Sequence, residues 1–405
     1  MSIRLSRQKR LWTSGLLFFA LLATQLSLPA IGRSASADEG ITQFVYTSDA
    51  HYGITRSRFK GGANVDARTV NAALVQAINS LPGLSFPCGD GGVKACQPVG
   101  PIDFVIETGD IANRSEALPT TPVTYIQSAE ASWNQFEADY IKGLSLKNKK
   151  GEKADLLILP GNHDVTNAIG FYKAMSPKTD ATVMTQLFNR FVRPATPRTK
   201  ENYDYSTDKV NYSRDIGGVH CLFVNMWPDI AVRNWMREDL KNVAATTPVI
   251  LFTHDQPDAE AKHFINPNFP ADINAKDKFE NLLTDTFADG LKVEDGAGKP
   301  VKTILEQRSF VKFLKDYKNI VAYFHGNDNA NEFYIWSGPD KDISLNTFRV
   351  DSPMKGNLSA KDESKLSFQT VSIDPAAQTM TVREYLWNVG HWGDAKTVSL
   401  APRIQ

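Results

Sequence analysis

Apolar positions along this chain fall into short, nearly unbroken runs, separated by stretches in which they recur every three or four residues. ITQFVYTSD (41–49), IDFVIETGD (102–110), DLLILPGNHD (155–164), PVILFTHDQP (248–257) and NIVAYFHGND (319–328) are runs of the first kind. Such continuity, with helices between the runs, predicts strands buried on both faces. The helical spacing predicts helices over 64–80, Tyr125–Leu144, 233–243 and Thr303–Tyr317. NYSRDIGGVHCLFVNM (211–226) predicts a hairpin turning at Gly217-Gly218. Residues 258–300 read as a long polar insertion, and 331–388 mostly as strand, including the hairpin FQTVSIDPAAQTMTVREY. The expected fold is α/β: two stacked mixed β-sheets flanked by helices, a four-layer α/β/β/α sandwich. Its second sheet would be completed by the C-terminal strands. No stretch rich in Pro, Gly or Ser divides residues 38–405, which predicts one domain.

Charge narrows the choice of partners. Basic and acidic side chains balance at 45 each in the 405-residue chain. No basic face is imposed, so nothing argues for a dedicated nucleic-acid partner. At the N-terminus, Arg4, Arg7, Lys9 and Arg10 precede the apolar run Leu16–Ala23, and Ala35-Ser36-Ala37 offers an A-x-A cleavage pattern. This predicts a signal peptide over 1–37, a periplasmic or secreted location, and no stable membrane span after cleavage. Removing five basic residues with it leaves 40 basic against 45 acidic. Cys88 and Cys96 flank a Gly- and Pro-rich loop, FPCGDGGVKACQP, and in an exported chain predict a disulfide. Cys221, inside VHCLFV, reads as an inert core residue, as does His220 beside it.

The residues with chemical potential share one position, the C-terminal end of an expected strand. Asp49-Ala50-His51 ends the first run, Gly109-Asp110 the second, Gly161-Asn162-His163-Asp164 the third, and His254 a later one. Ligands bind at that edge of open α/β sheets, so separated strand ends can converge on one spot. Taken singly, Asp49 or Asp110 reads as a turn or helix cap, and His254 as a hydrogen-bonded structural histidine. The ordered set is far more specific than its parts. Asn113 and Arg114, after the second run, are further candidates for touching a ligand, an exposed Arg being more often a solvated surface group. His263 and His391 fall in expected loops, and Trp387 and Trp392 read as sheet packing.

The order D-x-H, GD, GNHD and a strand-final His resembles the calcineurin-like metallophosphoesterase family, over roughly residues 41–335. NYSRDIGGVHCLFVNMWPD resembles the stretch such enzymes carry between their third and fourth motifs. The resemblance implies the sandwich fold above and hydrolysis of a phosphate monoester or diester by a metal-bridging hydroxide. Its cofactors would be two divalent metal ions, Mn, Fe or Zn by the mixture of O and N donors. By the same resemblance Asp110 bridges the two, Asp49 and His51 hold the first, and Asn162 and His254 hold the second. His163 would stabilise the transition state or protonate the leaving oxygen, with Asp164 orienting its ring. The implied substrate is a phosphorylated small molecule or a phospholipid-type ester.

One stretch departs from the pattern. The family closes its site with G-H-x-H, and here the corresponding residues are His325-Gly326-Asn327-Asp328-Asn329. Three readings follow. Asn327 and Asn329 act as amide-oxygen ligands, with Asp328 assisting; or His325 reaches the metals through an altered loop; or one or both metals are weakly held and catalysis is feeble. In the last case the alternative is a degenerate scaffold that binds a phosphorylated ligand or a partner with little or no turnover.

Overall fold

The computed structural model describes residues 40–113, 127–166, 180–205, 207–259 and 303–404. The expected signal peptide over 1–37, Arg114, His263 and nearly all of the insertion 258–300 lie outside the described residues.

Five apolar runs form strands at the centre of two sheets. In the first sheet β1 (Thr42–Thr47) lies parallel to β4 (Phe104–Glu107), and β4 parallel to β5 (Asp155–Ile158). In the second, β7 (Val219–Phe223), β8 (Val249–Phe252) and β9 (Ile320–His325) are mutually parallel. Parallel neighbours need helical crossovers. Those of the first sheet are α1 (Ala67–Ser80) and α2 (Ala129–Phe136), the latter running on as a π-helical turn to Lys142. Those of the second are α5 (Ile230–Leu240) and α6 (Ile304–Asp316). Between them in the chain come the single turn α3 (Asn162–Thr166) and α4 (Thr182–Leu187).

Alternation of side chains across each strand joins the two sheets. Phe44 and Tyr46 of β1 point at the opposite sheet, where Phe44 meets Phe252 at 5.8 Å and Tyr46 meets Phe324 at 5.1 Å. Tyr323, on the other face of β9, packs outward against Phe310 of α6. Each sheet is therefore covered by the other on one side and by helices on the other. This is the four-layer α/β/β/α sandwich that the apolar pattern predicts, and one buried apolar cluster runs through it.

A ladder of rings crosses the second sheet. Tyr212 of β6 (Tyr212–Ile216), Phe223, Phe252, Phe324, and Phe348 of β11 (Leu345–Arg349) sit on five adjacent strands, each opposite the next. Their centroids are 4.7, 5.0, 5.0 and 4.7 Å apart, and the planes are tilted by at most 26°. Strands in a sheet lie about 4.8 Å apart, so neighbouring rings meet face to face without distortion. Each such pair is worth roughly 1 kcal/mol beyond its buried area.

Several expectations need correction. Only the first of the C-terminal strands complete the second sheet. β10 (Glu332–Trp336) and β11 do, but β12 (Ser367–Asp374) pairs with β1, and β13 (Thr379–Leu386) and β14 (His391–Ser399) continue outward from it in the first sheet. Residues 64–66 are not helical. They end a small hairpin, β2 (Thr55–Phe59) and β3 (Gly62–Asp66), and the Asp66 carboxylate caps α1 through the Thr69 amide. His391 opens β14 instead of lying in a loop.

Other expectations match. Gly217 and Gly218 both have positive φ at the β6–β7 turn, as a tight hairpin needs. Cys88 and Cys96 are joined, and Cys221 is buried and free. Trp387 packs on Phe59, and Trp392 on Phe86 and Tyr385. His220 is buried, and is in addition clasped between the Asp215 and Asp239 carboxylates, each at 2.6 Å.

Candidate metal centre

The C-terminal ends of β1, β4, β5, β8 and β9 converge where the two sheets meet, and the chain leaves each strand by a sharp turn. The Asp49 and His51 amides donate to the Gly109 and Asp110 carbonyls at 2.9 and 2.8 Å. The Gly326 amide donates to the His254 carbonyl at 3.1 Å, tying the ends of β8 and β9 together. Positive φ is uncommon outside glycine. Among the described residues thirteen others adopt it, and five of these are Asp49, His51, Asp110, Asn327 and Asn329. Strain concentrated at one spot by the surrounding framework is a mark of a functional site.

Two glycines make the turns possible. A Cβ on Gly161 would collide with the backbone and carboxylate of Asp110 and with the His254 ring. A Cβ on Gly326 would strike Ser48 and the Asp49 carboxylate.

Within this frame the donors gather around Asp110. His51 Nε2 lies 3.5 Å from Asp49 Oδ1 and 3.5 Å from Asp110 Oδ2. His254 Nε2 lies 3.5 Å from Asp110 Oδ1, and His163 Nε2 lies 3.8 Å from Asp110 Oδ2. Two sets of donor atoms are close enough to hold an ion, His51–Asp110–His163 and Asp49–Asp110–His254, and Asp110 belongs to both. A carboxylate shared by two cation positions is what a paired-metal site requires.

The donors fit cations better than they fit one another. Asp49 Oδ1 and both nitrogens of His51 are buried without a hydrogen-bond partner. Buried polar atoms are ordinarily satisfied, so such orphans call for a ligand. His254 Nδ1 lies 2.8 Å from the Thr108 carbonyl, which fixes a proton on that nitrogen. Its Nε2, 3.0 Å from Asn162 Oδ1, then presents either a lone pair to a cation or a second proton to the amide oxygen. Without a cation the second state is favoured. Burial alone would lower the pKa of His254, but the Asp110 and Asp49 charges raise it. Burial likewise opposes ionisation of Asp49, yet His51 and His254 outweigh it and hold the carboxyl at about 2. The cage is anionic and asks for positive charge.

A profile of the calcineurin-like phosphoesterases matches residues 43–293, a span that contains Asp49, His51, Asp110, Asn162, His163 and His254. The chain belongs to that family. The match ends before the closing stretch 325–329. Among solved structures, the chain is similar to a purple acid phosphatase from seeds of yellow lupin (Lupinus luteus), at 12% identity and a TM-score of 0.45. The likeness covers 89% of this chain and 54% of the lupin protein, so the chain spans about half that length. A dimetal phosphatase from Danio rerio is similar at 10% identity and a TM-score of 0.43, over 89% of this chain and 99% of that one. No curated protein matches.

Family membership makes the remaining residues informative. Asp164 has a different job from the one the sequence suggests. Rather than orienting the His163 ring, its carboxylate accepts backbone N–H bonds from Ala112 at 2.8 Å, Gly161 at 2.9 Å and Ile111 at 3.1 Å. It thereby ties the GD turn to the GNHD turn. Burial and the Asp110 charge push its carboxyl up to about 7 in spite of those donors. His163 is set in place by its own backbone, whose N–H donates to Asp110 Oδ1 at 2.8 Å.

At the closing stretch, His325 does not reach the cage. Its ring nitrogens lie 2.9 Å from the Gly326 carbonyl and 2.9 Å from the Tyr334 hydroxyl, and burial lowers its pKa to about 3. Asn327 lies beside Asp49, whose Oδ2 accepts its backbone N–H at 3.0 Å. Its amide nitrogen donates to Asp255 and Gln256, both at 3.0 Å. Asn329 donates to the Asn327 carbonyl at 2.7 Å, and its buried Oδ1 has no hydrogen-bond partner. Asp328 pairs with Arg349.

One residue at the site carries no sequence signal. Lys355 places Nζ 3.2 Å from both His163 Nε2 and Asn113 Oδ1. After burial, it is the strongest influence lowering the pKa of His51.

Proposed function

We propose that this chain is an exported, metal-dependent phosphoesterase that hydrolyses a phosphate monoester or diester. The observation that carries this reading is Asp110, whose two carboxylate oxygens each face a different imidazole, Oδ2 lying 3.5 Å from His51 Nε2 and Oδ1 3.5 Å from His254 Nε2. Asp49 and His51 would hold one cation and Asn162 and His254 the other, with Asn329 Oδ1 available as a further donor. Two divalent cations held there would neutralise phosphoryl charge and generate a nucleophile from water near neutral pH. The chain's own residues do the rest. Asp164 keeps the two turns in register, so the donors need little rearrangement as substrate arrives. His163, more exposed than Asp110 beside it, would donate a proton to the leaving oxygen. Mn, Fe or Zn suit the mixture of carboxylate, amide and imidazole, and a phosphorylated small molecule or a phospholipid-type ester is the substrate class.

Export rests on the N-terminal A-x-A segment and is supported by the Cys88–Cys96 disulfide, which suits a periplasmic or secreted protein. Among the described residues no helix is long and apolar enough to cross a membrane.

A second reading draws support from the amides at 327 and 329: a scaffold that binds a phosphorylated ligand with little turnover. Metal analysis of the purified chain, alongside nitrophenol release from aryl phosphates with Mn, Fe or Zn, separates the two. About two metals per chain and metal-dependent release support the hydrolase. A folded chain that takes up no metal and releases nothing refutes it.

A further inference from the structure

Among the described residues the cage is closed below and open on the side of His163. The side chains of Asp49, His51 and His254 are wholly buried, Asp110 is 3% exposed, and His163 is 15% exposed. Lys355, half-buried, stands beyond His163 on that open side. A lysine ordinarily lays its stem on the surface and keeps its ammonium in water. Here the ammonium is turned toward the mouth of the cage and located by two atoms of the site, Asn113 Oδ1 and His163 Nε2.

The turn that carries it is built into the floor. Buried Ser352 donates through Oγ to the Asp49 carbonyl at 2.9 Å and accepts the backbone N–H groups of Met354 and Lys355. Arg56, also buried, donates to the Pro353 carbonyl at 2.8 Å and to the Ser359 carbonyl. The Asn357 amide donates to the Asn329 carbonyl at 2.6 Å, joining this turn to the closing stretch. The position of Lys355 is thus referred to Asp49 itself, and its ammonium stands beside the cage at His163.

We propose that Lys355, steadied by Asn113, binds a non-bridging oxygen of the substrate's phosphate at the mouth of the cage. This rests on the phosphoesterase reading for its ligand and adds a contact that the metal-binding motifs do not contain. A lysine ammonium binds phosphate as a point charge. It would hold both the ester and the released inorganic phosphate, and its loss would fall on affinity more than on turnover.

The test uses the full chain with Mn(II) added, and inorganic phosphate as the probe, titrated calorimetrically and as a competitive inhibitor. Lys355→Met should weaken phosphate binding by about tenfold or more and raise KM similarly, with kcat and metal content little changed. Lys355→Arg, which keeps the charge, should stay close to wild type in phosphate affinity. Phosphate affinity unchanged in Lys355→Met overturns the proposal. So does a fall in kcat alone, which would make Lys355 a positioning residue for His163. A chain that hydrolyses no ester, yet loses phosphate binding in Lys355→Met, refutes the hydrolase reading and leaves this one standing. Turnover with a normal KM in the same variant does the reverse.

Discussion

The site has two unlike halves. One half, built from the ends of β1, β4, β5 and β8, consists of the Asn162 amide with carboxylates and imidazoles that are mutually close, Asp49 Oδ1 and both His51 nitrogens being buried without a hydrogen-bond partner. The other, after β9, consists of two amides, of which Asn327 spends its nitrogen on Asp255 and Gln256 and Asn329 spends its own on the Asn327 carbonyl. Both halves keep the positive-φ turns, and Gly326 keeps its close approach to Asp49. The positive-φ backbone is therefore present at both halves, while carboxylate and imidazole donors are gathered at only one. Carboxylates bring charge that a buried cage tolerates only with a cation; amides bring none. On the metal-dependent reading proposed above, the first half would set whether metal binds, and the second how tightly.

The sharpest break of this comparison is Asp110→Asn. Removing the shared charge should reduce the metal content by at least one ion per chain and lower aryl phosphate hydrolysis by about a thousandfold. Metal analysis and nitrophenol release measure both, and two retained metals would show that Asp110 is not the bridge.

Restoring imidazole at the weak half comes next. Asn327→His with Asn329→His should tighten metal binding by about tenfold to a hundredfold, read by competition with a chelator. Unchanged affinity would mean that the two positions lie outside the coordination sphere.

The smallest effect is one of pH, in chain stripped of metal. His254 has a raised pKa in the fold, so its contribution to stability is fully present below the unfolded value of 6.5 and is lost as pH rises through the folded value. Asp49 has a lowered one, so its contribution is present above 3.8 and is lost only as pH falls toward about 2. Between pH 6 and 8 the His254 part changes while the Asp49 part does not, and Asp164, whose carboxyl is pushed up to about 7, loses stability over the same window in the same direction. The amides have nothing to titrate. The urea midpoint of the metal-free chain should then be higher at pH 6 than at pH 8, with the difference reduced in His254→Gln. The His220 clasp acts in the same direction, since Asp239 and Asp215 raise its pKa against burial, and that part should persist in the variant.

What could be read from the sequence divides on similar lines. The central strands and their terminal donors were legible because burial on both faces writes an unbroken apolar run, and Asp49, Asp110, Asn162 and His254 each stand just beyond one. The edge strand β14 was not, because HWGDAKTVS is mostly exposed and has no buried face to mark it. The β2–β3 hairpin is likewise largely solvent-facing. The assignment of β12 to the first sheet depends on its pairing with β1, more than 300 residues earlier, which no local pattern records. Lys355 escaped notice for the same reason, since its partners His163 and Asn113 lie 192 and 242 positions away. Asp164 is legible as an acid at the site, but its backbone partners are not. Its motif marks an acid beside the site, but whether that acid faces a ring or a backbone is settled only by the fold of the GD turn.

The row of stacked rings in the second sheet acts as a gauge. Phe252 and Phe324 each stand two residues before a turn of the cage, at His254 and Gly326, and their faces are a strand's width apart. A slip of one residue between β8 and β9 would carry the ends of those strands past each other by about 3.3 Å and turn the rings out of line. Dimensions on which the chemistry depends are thus inherited from the molecule's interior, and the rim loops are at liberty to diverge with the substrate without disturbing them.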